Sequence, residues 1–179
     1  MNQTAKFIIL VLIASSCNLF TKNNMSNSKN DPAQMGTAEN DTTPKVTGIG
    51  GIFFFSENPS GTRDWYSKNL GLEVNEYGSS FEFRNANRPD EINYLQWSPF
   101  KKGSEYFAPS KKEFMINYRV QNIEGLVRNL RKNGVTVLDE IETYDYGKFV
   151  HIMDPFGNKI EFWEPIDSVL TKIGSATTK

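Results

Sequence analysis

The sequence predicts an α+β fold, with two βαβββ modules in one chain forming a curved mixed sheet around a cavity and helices on its outer face. Three observations predict it. Residues 46–166 read as one plan written twice. In each copy an amphipathic helical stretch stops at glycine, in Lys68-Asn69-Leu70-Gly71 and in Lys132-Asn133-Gly134. Each copy closes on a matching strand, Tyr94-Leu95-Gln96-Trp97-Ser98-Pro99 and Ile160-Glu161-Phe162-Trp163-Glu164-Pro165.

Taken in order, the first module opens on the apolar strand from Gly48 to Phe55 and turns at Glu57-Asn58-Pro59. Its helix carries Trp65, Tyr66 and Leu70, and a short strand, Leu72-Glu73-Val74, follows. The second module opens on Phe114 to Val120 and turns at Gln121-Asn122. Ile123, Leu126, Val127 and Leu130 then recur at helical spacing, and Val135-Thr136-Val137 is the matching short strand. In Asp154-Pro155-Phe156-Gly157-Asn158, Pro fixes one backbone angle and Gly supplies a positive one, so the chain reverses there. If that hairpin pairs Met153 with Lys159, His151 lies opposite Glu161 and Phe149 opposite Trp163. Strand alternation puts all four on the cavity face.

The 179 residues carry 20 Lys+Arg against 21 Asp+Glu, so no bulk charge draws the chain to nucleic acid or to an anionic membrane. Cys17 is the single cysteine, which rules out an intramolecular disulfide. Before it come Lys6, an apolar run from Phe7 to Ala14, and the small pair Ser15-Ser16. Residues 1–16 therefore read as a signal peptide. With Cys17 directly behind, the segment resembles a bacterial lipoprotein signal. That resemblance implies lipidation at Cys17, export, and anchoring in the periplasm or at the cell surface. An ordinary cleaved signal, or an uncleaved anchor with an incidental cysteine, is the alternative. Residues 17–45 are polar and read as a flexible tether, and residues 167–179 as a C-terminal tail.

Three stretches carry a family resemblance: Trp65-Tyr66-Ser67-Lys68-Asn69-Leu70-Gly71-Leu72, Tyr146-Gly147-Lys148-Phe149, and Asp154 through Pro165. They resemble the vicinal-oxygen-chelate superfamily of glyoxalases, extradiol dioxygenases, fosfomycin-resistance enzymes and bleomycin-binding proteins. The resemblance implies four metal-ligand positions on the first and last strands of each half, commonly His, Gln or Glu. Carried onto this sequence they fall at Gly51, Leu95, Met115 and Glu161. Only Glu161 is a competent ligand for a hard or borderline divalent ion, so the expectation is no bound metal and no other cofactor.

His151 and Glu161 are then a candidate acid–base pair. Phe53, Phe55, Trp97, Met115, Asn117, Arg119, Phe149 and Trp163 are candidate ligand contacts, with Arg119 suited either to an anionic substituent or to a rim salt bridge. The segment Phe100 to Lys112, with Tyr106-Phe107, links the halves and is placed to close over the cavity, and Tyr144-Asp145-Tyr146-Gly147 forms a second aromatic loop. The leading expectation is a protein that binds a small organic molecule without a metal. A glyoxalase-like lyase, metal-dependent or using His151 and Glu161, is the alternative, and a structural or partner-binding lipoprotein with its cavity filled by aromatic side chains is the third. A homodimer is compatible with all three.

Overall fold

The computed structural model describes residues 41–85, 88–173 and 177–178. The proposed signal peptide, Cys17 and nearly all of the tether lie outside the described residues. Among the described residues no helix is long and apolar enough to cross a membrane.

The first half comprises β1 (Lys45–Ser56), α1 (Pro59–Leu70), β2 (Ser79–Asn85) and β3 (Arg88–Lys101). A single 3-10 turn, Glu105–Phe107, lies in the connector to the second half. There follow β4 (Phe114–Gln121), α2 (Ile123–Lys132), β5 (Thr136–Val137), β6 (Glu142–Tyr144), β7 (Gly147–Met153), β8 (Lys159–Pro165) and α3 (Asp167–Ile173). The strands form one eight-stranded sheet in the order β2-β3-β1-β4-β8-β7-β5, with β6 on β7. β1 and β4 pair antiparallel at the centre. Each first strand pairs parallel with the last strand of its own half, β1 with β3 and β4 with β8. This is the predicted twofold repetition. The predicted strand Leu72-Glu73-Val74 is reduced to one bridge, Val74 to Ser79, because the chain bends back at once through Asn75.

Both helices start and stop where the sequence places their signals. The Asn58 side chain accepts the Gly61 N–H at 3.0 Å, with Pro59 next in the chain, and that of Asn122 accepts the Gly125 N–H at 3.0 Å. Gly71 and Gly134 follow the helices with φ of 72° and 76°, a conformation that costs glycine nothing. α2 buries Ile123 and Val127 against Val120, Val150, Ile152 and Phe162, which form the outer core of the second half. Each such side chain contributes roughly 1.5–3 kcal/mol of burial. α1 buries none of its residues, and Tyr66 makes its main aromatic contact, 4.7 Å from Trp97.

The last segment departs from the expected tail. α3 returns to the sheet, and Asp167 forms a salt bridge with Arg119 of β4, whose side chain is only 4% exposed. Thr178 bridges to Phe81 and accepts the Glu73 N–H at 2.9 Å. Polar residues can dock when their partners are buried charges and open strand edges, a signal that composition does not carry. Removing one member of a buried ion pair leaves the other desolvated and alone. Asp167→Ala should therefore lower the unfolding free energy by about 3–5 kcal/mol in urea titrations; a loss within error of zero would show that the pair does not hold α3.

Candidate functional site

Alternation along β4, β7 and β8 divides their side chains between two faces. Val120, Val150, Ile152 and Phe162 go to the helices. Asn117, Phe149, His151, Glu161 and Trp163 go to the concave face, in the register the hairpin spacing predicts: Met153 opposite Lys159, His151 opposite Glu161, Phe149 opposite Trp163. On that face lies a cavity of about 440 Å³, lined by Gly50, Phe53, Asn75, Tyr77, Gln96, Ser98, Phe100, Tyr106, Asn117, Tyr146, Phe149, Glu161, Trp163 and Leu170.

Glu161 forms its polar floor and is 2% exposed. Three donors hold the carboxylate. Tyr106 Oη and His151 Nε2 meet Oε2, the latter at 2.9 Å, and Asn117 Nδ2 donates to Oε1 at 2.6 Å. Since a carboxylate only accepts, the Asn117 amide nitrogen must face it and Oδ1 must point the other way. That oxygen is directed at Gly50, where an added Cβ would come within 2.2 Å of it and 2.9 Å of Trp163 Cε3. A glycine is required there by space. Asn117 Oδ1 has no hydrogen-bond partner among the described residues.

Behind Glu161 the chain of polar contacts continues. His151 Nδ1 lies 2.6 Å from Asp139 Oδ2, and the His151 backbone N–H donates to Asp139 Oδ1 at 2.7 Å. Burial by itself would lower the His151 pKa, but the bonds to Glu161 and Asp139 outweigh it and raise the pKa above its ordinary 6.5. Burial first, and then the Glu161 charge, raise the Tyr106 pKa far above the ordinary range, so its hydroxyl remains a donor. Tyr106 stacks on Phe100 at 5.3 Å and meets the His151 ring edge-on at 5.7 Å. Lys159 donates to the Tyr106 carbonyl at 2.7 Å, and burial lowers its pKa.

Of the residues singled out in the sequence, Phe53, Asn117, Phe149, Glu161 and Trp163 converge on the cavity, with His151 directly behind Glu161. Met115 and Phe55 pack one layer deeper, with Phe53, Phe100 and Phe107. Two placements need correction. Trp97 is on the opposite face, between Phe54 at 5.3 Å and Tyr66 of α1. Arg119 is neither a rim residue nor free for an anion, since it is bound to Asp167 and the Tyr94 carbonyl and lies over Trp163 at 5.2 Å.

The Trp97 correction also moves the register of the repeat. Gly51 pairs with Gln96, as Asn117 pairs with Glu161, so it is Gln96, and not Leu95, that shares the cavity face with Gly51. A slip of one residue exchanges the faces of a strand. Gln96 is a ligand-type residue that the sequence reading missed. Its Oε1, however, accepts from Ser80 Oγ at 2.8 Å and its Nε2 donates to Ser98 Oγ at 3.1 Å, while both Glu161 oxygens are taken. Among the described residues no group of three or more His, Cys, Asp or Glu side chains is arranged to hold a metal ion. The residues present do not fit the superfamily's divalent metal.

The family model of the Glyoxalase/Bleomycin resistance protein/Dioxygenase superfamily matches residues 48–162. The chain belongs to that superfamily. Solved structures similar to the chain include a variant of Streptomyces coelicolor methylmalonyl-CoA epimerase in complex with 2-nitronate-propionyl-CoA, 17% identical over 68% of this chain and 99% of that one, with a TM-score of 0.50. A methylmalonyl-CoA epimerase in complex with methylmalonyl-CoA and NH4+ gives 17% identity over 68% and 96%, with a TM-score of 0.51. A glyoxalase/bleomycin resistance protein/dioxygenase superfamily member from Vibrio splendidus 12B01 gives 16% identity over 68% and 99%, with a TM-score of 0.41. No curated protein sequence matches the chain. Likenesses at this identity concern the fold and leave the chemistry to the site.

The His151 contacts set a pH dependence. A histidine whose folded pKa is raised stabilises the fold fully below 6.5 and loses that contribution as pH rises through the folded value. The stability lost in His151→Gln should therefore be full below pH 6.5 and shrink as the pH rises above it in urea melts. A loss that grows with pH would contradict the placement of His151 between two carboxylates.

Proposed function

We propose that this superfamily member binds a small organic molecule in its aromatic cavity without a metal. The observation that carries the reading is the cavity itself: about 440 Å³, walled by aromatic rings, with a few polar groups gathered on one side. The occupied oxygens of Glu161 and Gln96 support the metal-free part. A ligand at about a hundred times its Kd stabilises the folded state by about 2.7 kcal/mol, so a thermal-shift screen of small aromatic compounds should find molecules that raise the melting temperature. Ser98→Leu, which fills the cavity, should abolish that rise. No stabilising compound, or a rise that survives Ser98→Leu, would refute the reading.

One observation favours a second reading, that the cavity also transfers protons. The contacts run unbroken from Asp139 through His151 to Glu161 at the cavity wall. A proton leaving a bound substrate for Glu161 would be shared with His151, whose imidazolium Asp139 stabilises. In this reading, deuterium from heavy water enters a carbon of the bound compound, and His151→Gln slows the exchange about 100-fold. A ligand that binds and never exchanges would leave binding as the function.

We propose, from the sequence alone, that the domain is carried outside the cytoplasm on a lipid at Cys17. Cys17→Ser should move the expressed chain from the membrane to the soluble fraction; unchanged membrane association would reject lipidation.

A further inference from the structure

We infer that the ligand of this cavity is an organic cation, an amine or quaternary ammonium on an apolar body. The inference rests on the cavity being the binding site. Of its fourteen lining residues seven are aromatic, and Glu161 is the sole one that bears a formal charge; none is Lys, Arg or His. The cationic groups nearby already have partners, Lys159 lying 5.2 Å from the centre of the Tyr106 ring and Arg119 5.2 Å from that of Trp163. Arg119 is held by Asp167 and the Tyr94 carbonyl, and Lys159 is bound to the Tyr106 carbonyl behind the Tyr106 ring.

Three ionisable groups stand around Glu161 outside the lining. His151 reaches it from β7, Lys159 of β8 is held at the Tyr106 carbonyl, and Asp139 stands behind His151. While His151 keeps the proton that its two carboxylate partners favour, these charges balance; once that proton leaves, two carboxylates face one ammonium. A carboxylate in such a dry site is costly unless its charge is matched, and a ligand cation at the cavity floor would match it. The walls suit the same partner. Phe149 stacks on Trp163 at 5.8 Å and Tyr106 on Phe100 at 5.3 Å, and all four rings line the cavity with Glu161. Ring faces carry negative charge and attract a desolvated cation, more strongly for an alkylammonium that gives up little hydration. An anionic ligand would meet Glu161 with no counter-charge in the lining.

The test is isothermal titration of the full chain with three probes of one size class: benzyltrimethylammonium, benzyl alcohol and benzoate. The cation should bind at least about tenfold more tightly than the alcohol, with benzoate weakest. In Glu161→Gln that preference should fall to within about threefold, and in Phe149→Leu, which leaves the Glu161 contacts intact, it should fall in part. If the alcohol or benzoate binds as tightly as the cation, the cationic ligand class is wrong while the cavity remains a binding site. If none of the three binds at millimolar concentration, the cavity reading falls and the inference with it. The wild-type comparison decides the matter even if Glu161→Gln does not fold.

Discussion

A carboxylate buried among aromatic rings can remain charged only if donors reach it, and the concave side of this protein is organised around that requirement at Glu161. Its three donors come from three places in the chain: Asn117 from β4, His151 from β7, and Tyr106 from the connector between the halves. Each hydrogen bond also performs a structural task. Asn117 ties β4 to β8 beyond their ladder, His151 brings in Asp139 from outside the sheet, and Tyr106 draws the connector over the cavity. Lys159 and the Phe100 ring fix that connector from either side. The polar floor and the roof of the cavity are therefore one cooperative unit.

The two halves share a plan and have diverged in content. In the second half, the paired positions on its first and last strands hold Asn117 and Glu161, a hydrogen-bonded pair that carries a charge. In the first half the corresponding strands pair Gly51 with Gln96, whose neutral amide is satisfied by Ser80 and Ser98. The cavity thus has one charged wall and one neutral wall. Stability is divided unequally as well. α2 seals a continuous apolar core over the second half, while α1 buries no residue. The first half gains its hold from Trp97 against Tyr66 and from α3 and Thr178 docking on β3 and β2.

Much of this was legible in the sequence wherever a local rule decided it. The repeat, the asparagine and glycine punctuation of both helices, and the Asp154–Asn158 reversal fixed the order of elements, and the hairpin fixed His151 against Glu161. Three things were not legible. Leu95 and Trp97 share one face of β3 and Gln96 and Ser98 the other, but matching Trp97 to Trp163 of the second half points the apolar pair at the cavity, whereas it faces the helix side. Asp139 and Tyr106 reach the site from irregular segments, where no period exists to place them. Arg119 looked like a rim charge because its partner, Asp167, lies in a segment that composition marks as a tail; the ion pair is visible only once the chain is folded.

The aromatic and anionic surface above Glu161 is proposed as the seat of a ligand. A crystal structure of the chain soaked with benzyltrimethylammonium tests it most directly. The ammonium group is expected above the Glu161 carboxylate and beside the Phe149 ring, with Asn117 and His151 still bound to Glu161. Density for the compound elsewhere, or a cavity closed by its own side chains, would contradict it.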